Sequence, residues 1–475
     1  MAKAGAAATV LWFRRDLRLA DNPALQWAIE RGGPVIPLYV RDEHLETRPM
    51  GAAARWWLDK SLKALAADLE ARGSRLVLRA GPAPFVVHAL MEEAGADALA
   101  FSDLLAASDA TEEAERPDGA EVGRFSASWL TRPGGLRTGQ GGAYKVFTPY
   151  GLALRDAYAA PPPTPAPKSI PAPAAWPESE KLSEWGLHPT RPDWSTGFAD
   201  WEPGEAGAVR RLEAFVDDPL AGYVKGRDTP GVEGTTRLSP HLAFGEIAPW
   251  RIESTIREAA ARKPALMEPA EKAFNELAWR DFAAHLLRAF PQMRERNMRG
   301  EFDHMPWRRD PRGFRAWTRG QTGYPIVDAG MRQLWKTGWM HNRVRMAVAS
   351  FLVKDLLIDW REGEAWFWDT LVDADPGANA TNWQWAAGSG VDASPFFRIF
   401  NPTSQGERFD KDGAYVRRWV PELARLPARW LHRPWQAPRE VLAAAGVELG
   451  RNYPAPIVDH AEARDRALAA YRGLK

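Results

Sequence analysis

Between Trp339 and Trp385 the chain concentrates side chains suited to holding a flat anionic molecule and moving electrons. The run Trp339-Met340-His341-Asn342-Arg343-Val344-Arg345-Met346 is followed by Asp373-Ala-Asp375 and by Asn379-Ala-Thr-Asn-Trp383-Gln-Trp385. Indole planes, guanidinium forks, carboxylates and amides in this mixture suit a large planar polyanion and suit hydrolysis poorly. Asn342 and Met346 fall one helical turn apart on one face, while Arg345 points elsewhere. His341 reads as a hydrogen-bonded structural histidine, and the nine scattered histidines show no metal-ligand spacing. Asp373 and Asp375 have no third carboxylate or neighbouring histidine to complete a metal shell, so no metal is expected and an Arg345–carboxylate pair is the better reading.

Two upstream segments add to this inventory. In Asn275-Glu276-Leu277-Ala278-Trp279-Arg280-Asp281, helical spacing puts Glu276, Trp279 and Arg280 on one face. Alone, that pattern reads first as an ion pair beside a core tryptophan. The stretch 222–239 combines glycines with Thr235, Thr236, Arg237 and Ser239, the groups a diphosphate site requires. Hydroxyl-rich loops also cap helices. Among 23 tryptophans, most are packing residues. Trp307, Trp360 and Trp383 stand in polar or segment-end contexts where an indole can relay one electron.

The net charge of +1 excludes a globally basic nucleic-acid binder. Between Trp279 and Arg345, however, thirteen Arg and one Lys face six Asp or Glu, a local excess of +8 that allows a phosphate-binding face. The chain has no cysteine, which excludes disulfides and thiolate metal sites and fits a reducing compartment. No apolar run reaches the length of a membrane helix. The opening residues lack the apolar core of a secretory signal, so a cytoplasmic location is expected.

The elements that must position these residues follow from hydrophobic periodicity. Val10-Leu-Trp-Phe13, Val35-Ile-Pro-Leu-Tyr-Val40, Arg75-Leu-Val-Leu78 and Ala98-Leu-Ala-Phe101 read as buried strands, with helices over 23–31, 52–72 and 82–94 between them. Such alternation predicts a doubly wound parallel sheet. No G-x-G-x-x-G follows the first strand; the turn there is Arg14-Arg15-Asp16-Leu17-Arg18. Residues 159–177 are rich in proline and alanine and predict an extended connector that does not pack. Beyond about residue 205 the pattern is helical, with segments at 270–290, 328–337 and 341–358. The expected architecture is α/β plus all-α: an α/β domain over 1–132, an interdomain linker over 133–204 and a helical domain over 205–475.

Read together, Leu11-Trp-Phe-Arg-Arg-Asp-Leu-Arg18, Thr235-Thr-Arg-Leu-Ser239, Gly323-Tyr-Pro-Ile-Val-Asp328, the 339–346 run and Phe396-Phe-Arg-Ile-Phe-Asn-Pro402 resemble the photolyase/cryptochrome superfamily. The similarity is greatest to microbial cyclobutane pyrimidine dimer photolyases related to class I, and it spans nearly the whole chain. The resemblance implies FAD in the helical domain, with Tyr223, Thr235, Thr236, Leu238, Ser239 and Arg280 among its contacts. It implies an Arg345–Asp373 pair against the flavin, Asp375 nearby and Asn379 facing N5. UV-damaged DNA would be the partner, its extruded dimer held between Trp279 and Trp385 beside Met346. Glu276 and Asn342 would bond the pyrimidine edges, and Arg227 and Arg343 the flanking phosphates. The implied reaction is light-driven: an electron from FADH⁻ splits the cyclobutane ring and returns. Trp383, Trp360 and Trp307 would relay electrons during photoreduction of oxidised FAD. A cryptochrome-like photoreceptor is the alternative. A monomer is expected.

Relatives of this kind commonly carry an antenna chromophore, methenyltetrahydrofolate or a deazaflavin, on the α/β domain. Here Ser102-Asp-Leu-Leu-Ala-Ala-Ser-Asp-Ala-Thr-Glu-Glu lacks the aromatic–acidic pattern, and 116–131 is short. Flavin without an antenna is therefore expected, and no residue is assigned to a second chromophore.

Overall fold

The computed structural model describes residues 7–43, 48–105, 119–190, 192–392 and 397–474. Five parallel strands, β1 (Ala8–Phe13), β2 (Val35–Arg41), β3 (Val77–Ala80), β4 (Ala96–Ser102) and β5 (Glu121–Phe125), form one sheet in the order β3-β2-β1-β4-β5. The strands are nearly continuous apolar runs because helices cover both faces. These helices are α1 (Pro23–Arg31), α2 (Ala52–Glu70) and α3 (Ala83–Ala94). Asn22 caps α1 by accepting from the Leu25 amide, and Gly95, at φ 57°, ends α3 in the left-handed region.

Periodicity missed β5, whose Glu-Val-Gly-Arg-Phe sequence has the polar character of an edge strand, and it placed β3 two residues early. The Arg14–Arg18 turn docks the two halves together. Arg18 is fully buried and donates to the carbonyls of Asp21, Ala127 and Gly245 at 2.7–2.8 Å, while the Leu17 amide donates to the Phe244 carbonyl.

The proline-rich stretch is extended, as its composition requires, yet it is packed. The amides of Val35 and Ile170 donate to the carbonyls of Pro171 and Arg72, Arg72 donates to Pro167, and Ile170 is buried. Proline removes donors but keeps its carbonyl, so this segment can be held as a row of acceptors. Ahead of it, α4 (Phe147–Ala157) lies along the long helix of the second half.

That half comprises α5 (Glu205–Asp217), α6 (Pro219–Gly226), α7 (Ser239–Phe244), α8 (Pro249–Arg262), α9 (Met267–Ala289), α10 (Pro311–Thr318), α11 (Pro325–Thr337), α12 (Asn342–Ser350), α13 (Trp360–Thr370) and α14 (Pro376–Ala387), with shorter helices up to His460–Arg472. The helix expected over 341–358 is not uniform. α12 widens into a π turn at Phe351–Asp355 and stops where Leu357 takes φ 56°. No helix among the described residues is long and apolar enough to cross a membrane.

Candidate active site

α9, α12 and α14 enclose a cavity of about 440 Å³. Its lining gathers Tyr223 and Arg227 at the end of α6, Thr236, Leu238 and Ser239 at the start of α7, and Glu276, Trp279 and Arg280 on α9. Asn342, Arg345 and Met346 come from α12, Asp373 and Asp375 from the turn before α14, and Trp385 from its last turn. A second lobe of about 220 Å³ shares Ser239, Asn342, Arg345, Asp373 and Trp385 and adds Asn379 and Trp383. Residues up to 169 positions apart in sequence thus face one space, from Tyr223 to Asp392.

Local chemistry fixes the frame. The His341 ring Nδ1 accepts from the Arg343 amide at 3.2 Å and caps α12; burial pushes the ring down to about 4, so it is neutral at physiological pH. Asp375 caps α14 by accepting from the Ala378 amide at 2.7 Å, with Pro376 in the first turn. Arg345 pairs with Asp373 at 2.7 Å and donates to the Met340 carbonyl, and Ser239 Oγ donates to the same Asp373 oxygen at 2.6 Å. The other Asp373 oxygen is buried without a protein partner.

The mouth is differently built. Trp279 is 37% exposed. Glu276 pairs with Arg227 at 2.6 Å; burial pushes its carboxyl above the usual range and the Arg227 guanidinium draws it back. Arg343 stands outside the cavity, paired with Asp228 at 2.7 Å and lying over the Phe409 ring. Arg280 and Thr235 differ from the other candidates. Arg280 lines the cavity, but it donates to the carbonyls of Ser128 and Leu242, holding backbone. Thr235 lines a separate groove with Arg237 and Trp339.

Asn379 exposes a residue the sequence did not single out. Its amide nitrogen donates to the Glu364 carbonyl at 3.0 Å and to the Glu364 carboxylate at 2.8 Å. Glu364, itself buried, is bound through both oxygens by Arg48 from the α/β half, whose guanidinium lies 4.0 Å over Trp368. Nothing in local spacing marks Glu364, because its partners come from 15 and 316 residues away.

Trp383 packs its ring tip on Gly363, where a Cβ would sit 2.2 Å from the indole, so α13 admits only glycine there. Trp360 is fully buried and donates to Asn297 at 2.9 Å; Trp307 is partly buried against the same core. A second aromatic course leaves Trp383 through Trp317 at 6.2 Å, Phe314 at 5.7 Å, Trp366 at 6.4 Å and Trp335 at 6.0 Å. Trp335 is 41% exposed, so this course reaches solvent. These indoles sit where helical periodicity reads ordinary packing.

In the α/β half, a cavity of about 250 Å³ lies at the carboxyl ends of β1 and β2, lined by Trp12, Arg14, Tyr39, Arg41, Arg48 and Trp185 among others. Of the stretches 102–113 and 116–131 on which the antenna expectation rests, residues 106–113 and 116–118 lie outside the described residues, as does Phe396 of the motif 396–402.

Comparison with known proteins places these features in context. The family described as the FAD binding domain of DNA photolyase matches residues 273–473, and the DNA photolyase family matches residues 9–168. The chain is 52% identical to a deoxyribodipyrimidine photo-lyase of Agrobacterium fabrum, covering 99% of this chain and 98% of that one. It is 37% identical to cryptochrome-1 of Arabidopsis thaliana, covering 96% of this chain and 69% of that one. The crystal structure of a class III photolyase from Agrobacterium tumefaciens is similar throughout, with a TM-score of 0.95 at 52% identity, covering 100% of this chain and 98% of that one.

Proposed function

The chain belongs to the DNA photolyase family, and on that premise we propose that it is a deoxyribodipyrimidine photolyase, splitting cyclobutane pyrimidine dimers in UV-damaged DNA with light. The observation that carries this reading is the single two-lobed cavity. Its inner lobe is lined by Asn379, Trp383 and the Arg345–Asp373 pair, its mouth by Trp279, Trp385, Glu276, Asn342 and Met346.

The inner residues fit FAD. Arg345 offsets negative charge, Ser239 and Thr236 supply hydroxyls, and the buried unpartnered Asp373 oxygen calls for a donor from a bound molecule. FAD, when bound, supplies light absorption and the transferable electron, and the reduced form FADH⁻ is the working state we infer. Asn379 favours that state. Glu364 takes both amide hydrogens, leaving the carbonyl oxygen as an acceptor that neither repels an anion nor exchanges a proton. Trp279 and Trp385 replace the stacking that an extruded pyrimidine pair loses, and Glu276 with Asn342 bonds its polar edges. The raised Glu276 carboxyl is suited to stabilise negative charge arising on the dimer. Arg227 and Arg343, now paired with carboxylates, would exchange those partners for backbone phosphates.

For the α/β half we keep the expectation of flavin without an antenna, and no residue is given to a second chromophore. The cavity at the carboxyl ends of β1 and β2 combines aromatic walls with arginines that already face carboxylates, Arg41 near Glu43 and Arg48 on Glu364. A monomeric, cytoplasmic protein completes the proposal. The photoreceptor alternative leaves the aromatic and polar mouth without a task.

The test is direct. Reduced protein illuminated with a dimer-containing oligonucleotide should return monomeric pyrimidines, and equal recovery in light and dark would overturn the reading.

A further inference from the structure

Trp279 stands at the cavity mouth as an exposed indole, and one of its faces is already covered. Phe147 lies against it with ring centroids 3.7 Å apart and planes within 8°. Phe147 is absent from the cavity lining that includes Trp279, so the phenyl ring backs the indole from outside the cavity. Phe282 meets both rings edge-on at 5.9 Å. Phe147 is also tied to the opposite side. Its amide donates at 3.1 Å to Asp392, which lines the cavity five residues beyond the end of α14, after Trp385. Behind Phe147, α4 is clamped along α9 by Arg155, which bonds Asn275 at 3.0 Å and Glu271 at 2.7 Å, and by Tyr158 against Phe274.

We propose that Phe147 is a positioning residue for lesion recognition: stacked behind Trp279 and bonded to Asp392, it fixes the plane of one aromatic wall relative to the segment that follows the other. An indole on a helix surface has rotamer freedom, and a base that stacks on it must freeze that freedom. A parallel aromatic backing removes the freedom beforehand and leaves one face open, enough for one base of an extruded pair. The effect belongs to the damaged substrate, because undamaged duplex presents phosphates and no extruded base to the wall.

This inference rests on Trp279 being a stacking wall, and its test separates the two claims. Affinities for dimer-containing and undamaged oligonucleotides would be measured in the dark with the flavin-containing full chain, alongside flavin content. Phe147→Ala should weaken dimer binding roughly threefold to tenfold, the scale of one aromatic pair, with undamaged DNA affinity and flavin content unchanged. Phe147→Tyr should restore dimer binding, and Phe147→Leu, which fills most of the volume without a stacking plane, should not. Wild-type dimer affinity in Phe147→Ala, or full restoration by leucine, would overturn the proposal. Unchanged dimer affinity in Trp279→Ala would instead remove the stacking wall on which the proposal stands.

Discussion

Replacing Asn379 by Asp turns the best-determined contact of the inner lobe into a measurable charge. The amide nitrogen lies 2.8 Å from a Glu364 oxygen, and Asn379 is buried. In Asn379→Asp an oxygen takes that place, so two carboxyls share one site and cannot both ionise easily. Two unit charges 2.8 Å apart interact by about 6 kcal/mol at an effective dielectric of about 20. Arg48 already binds both Glu364 oxygens, and taking roughly half of that repulsion as offset leaves about 3 kcal/mol, or about two pKa units. The pair then holds one proton to a pH above that at which an unfolded Asp, at about 3.9, loses it.

The sign follows from proton counting. Between those pH values the folded variant binds more protons than the unfolded chain, so its stability falls as pH rises and the loss is complete above the raised pKa. Urea unfolding followed by circular dichroism, on protein stripped of flavin, should show the gap between wild type and variant widening by about 3 kcal/mol from pH 4 to pH 7. Adding Glu364→Gln should remove that pH-dependent part. A gap of constant size across this range would refute the reasoning, since it would mean the two side chains do not share a proton.

Trp279→Ala should weaken binding of dimer-containing DNA by about 1–3 kcal/mol, the worth of one base–aromatic stack, as measured by titration in the dark; wild-type affinity would remove the wall. Trp383→Phe should nearly abolish photoreduction of oxidised FAD while pre-reduced protein still repairs. Because Trp317 meets Trp383 edge-on and Trp360 is buried in the same core, Trp360→Phe and Trp317→Phe should each slow photoreduction in part and together match Trp383→Phe. If Trp317→Phe is silent in the Trp360→Phe background, the second course carries no electrons. Acid extraction of the purified protein should release flavin alone; a second planar near-UV-absorbing compound would overturn the expectation of no antenna.

The arrangement of the molecule in two halves was legible from the chain, because burial on both faces leaves near-continuous apolar strands and helical packing leaves a 3.6-residue period. The types of residue at the site were legible too: an indole, a guanidinium or an amide carries its chemistry wherever the chain puts it. Distances were not. Arg345 and Asp373 were paired correctly because both lie in one dense stretch and one familiar pattern, whereas Glu364 drew no attention on α13 until Arg48 arrived from the other half. Arg280 lines the cavity, and the two carbonyls that packing placed within its reach, which take two of its donors, could not be read from the chain.

What the sequence by itself determined is the set of groups available and the periodicities that fold them into a sheet and a helical body. Which groups meet was decided by tertiary structure alone. Phe147 backs Trp279 from 132 residues away, and Trp317 meets Trp383 from 66 residues away. Periodicity reports which face of an element is buried; it holds no record of what is buried against it.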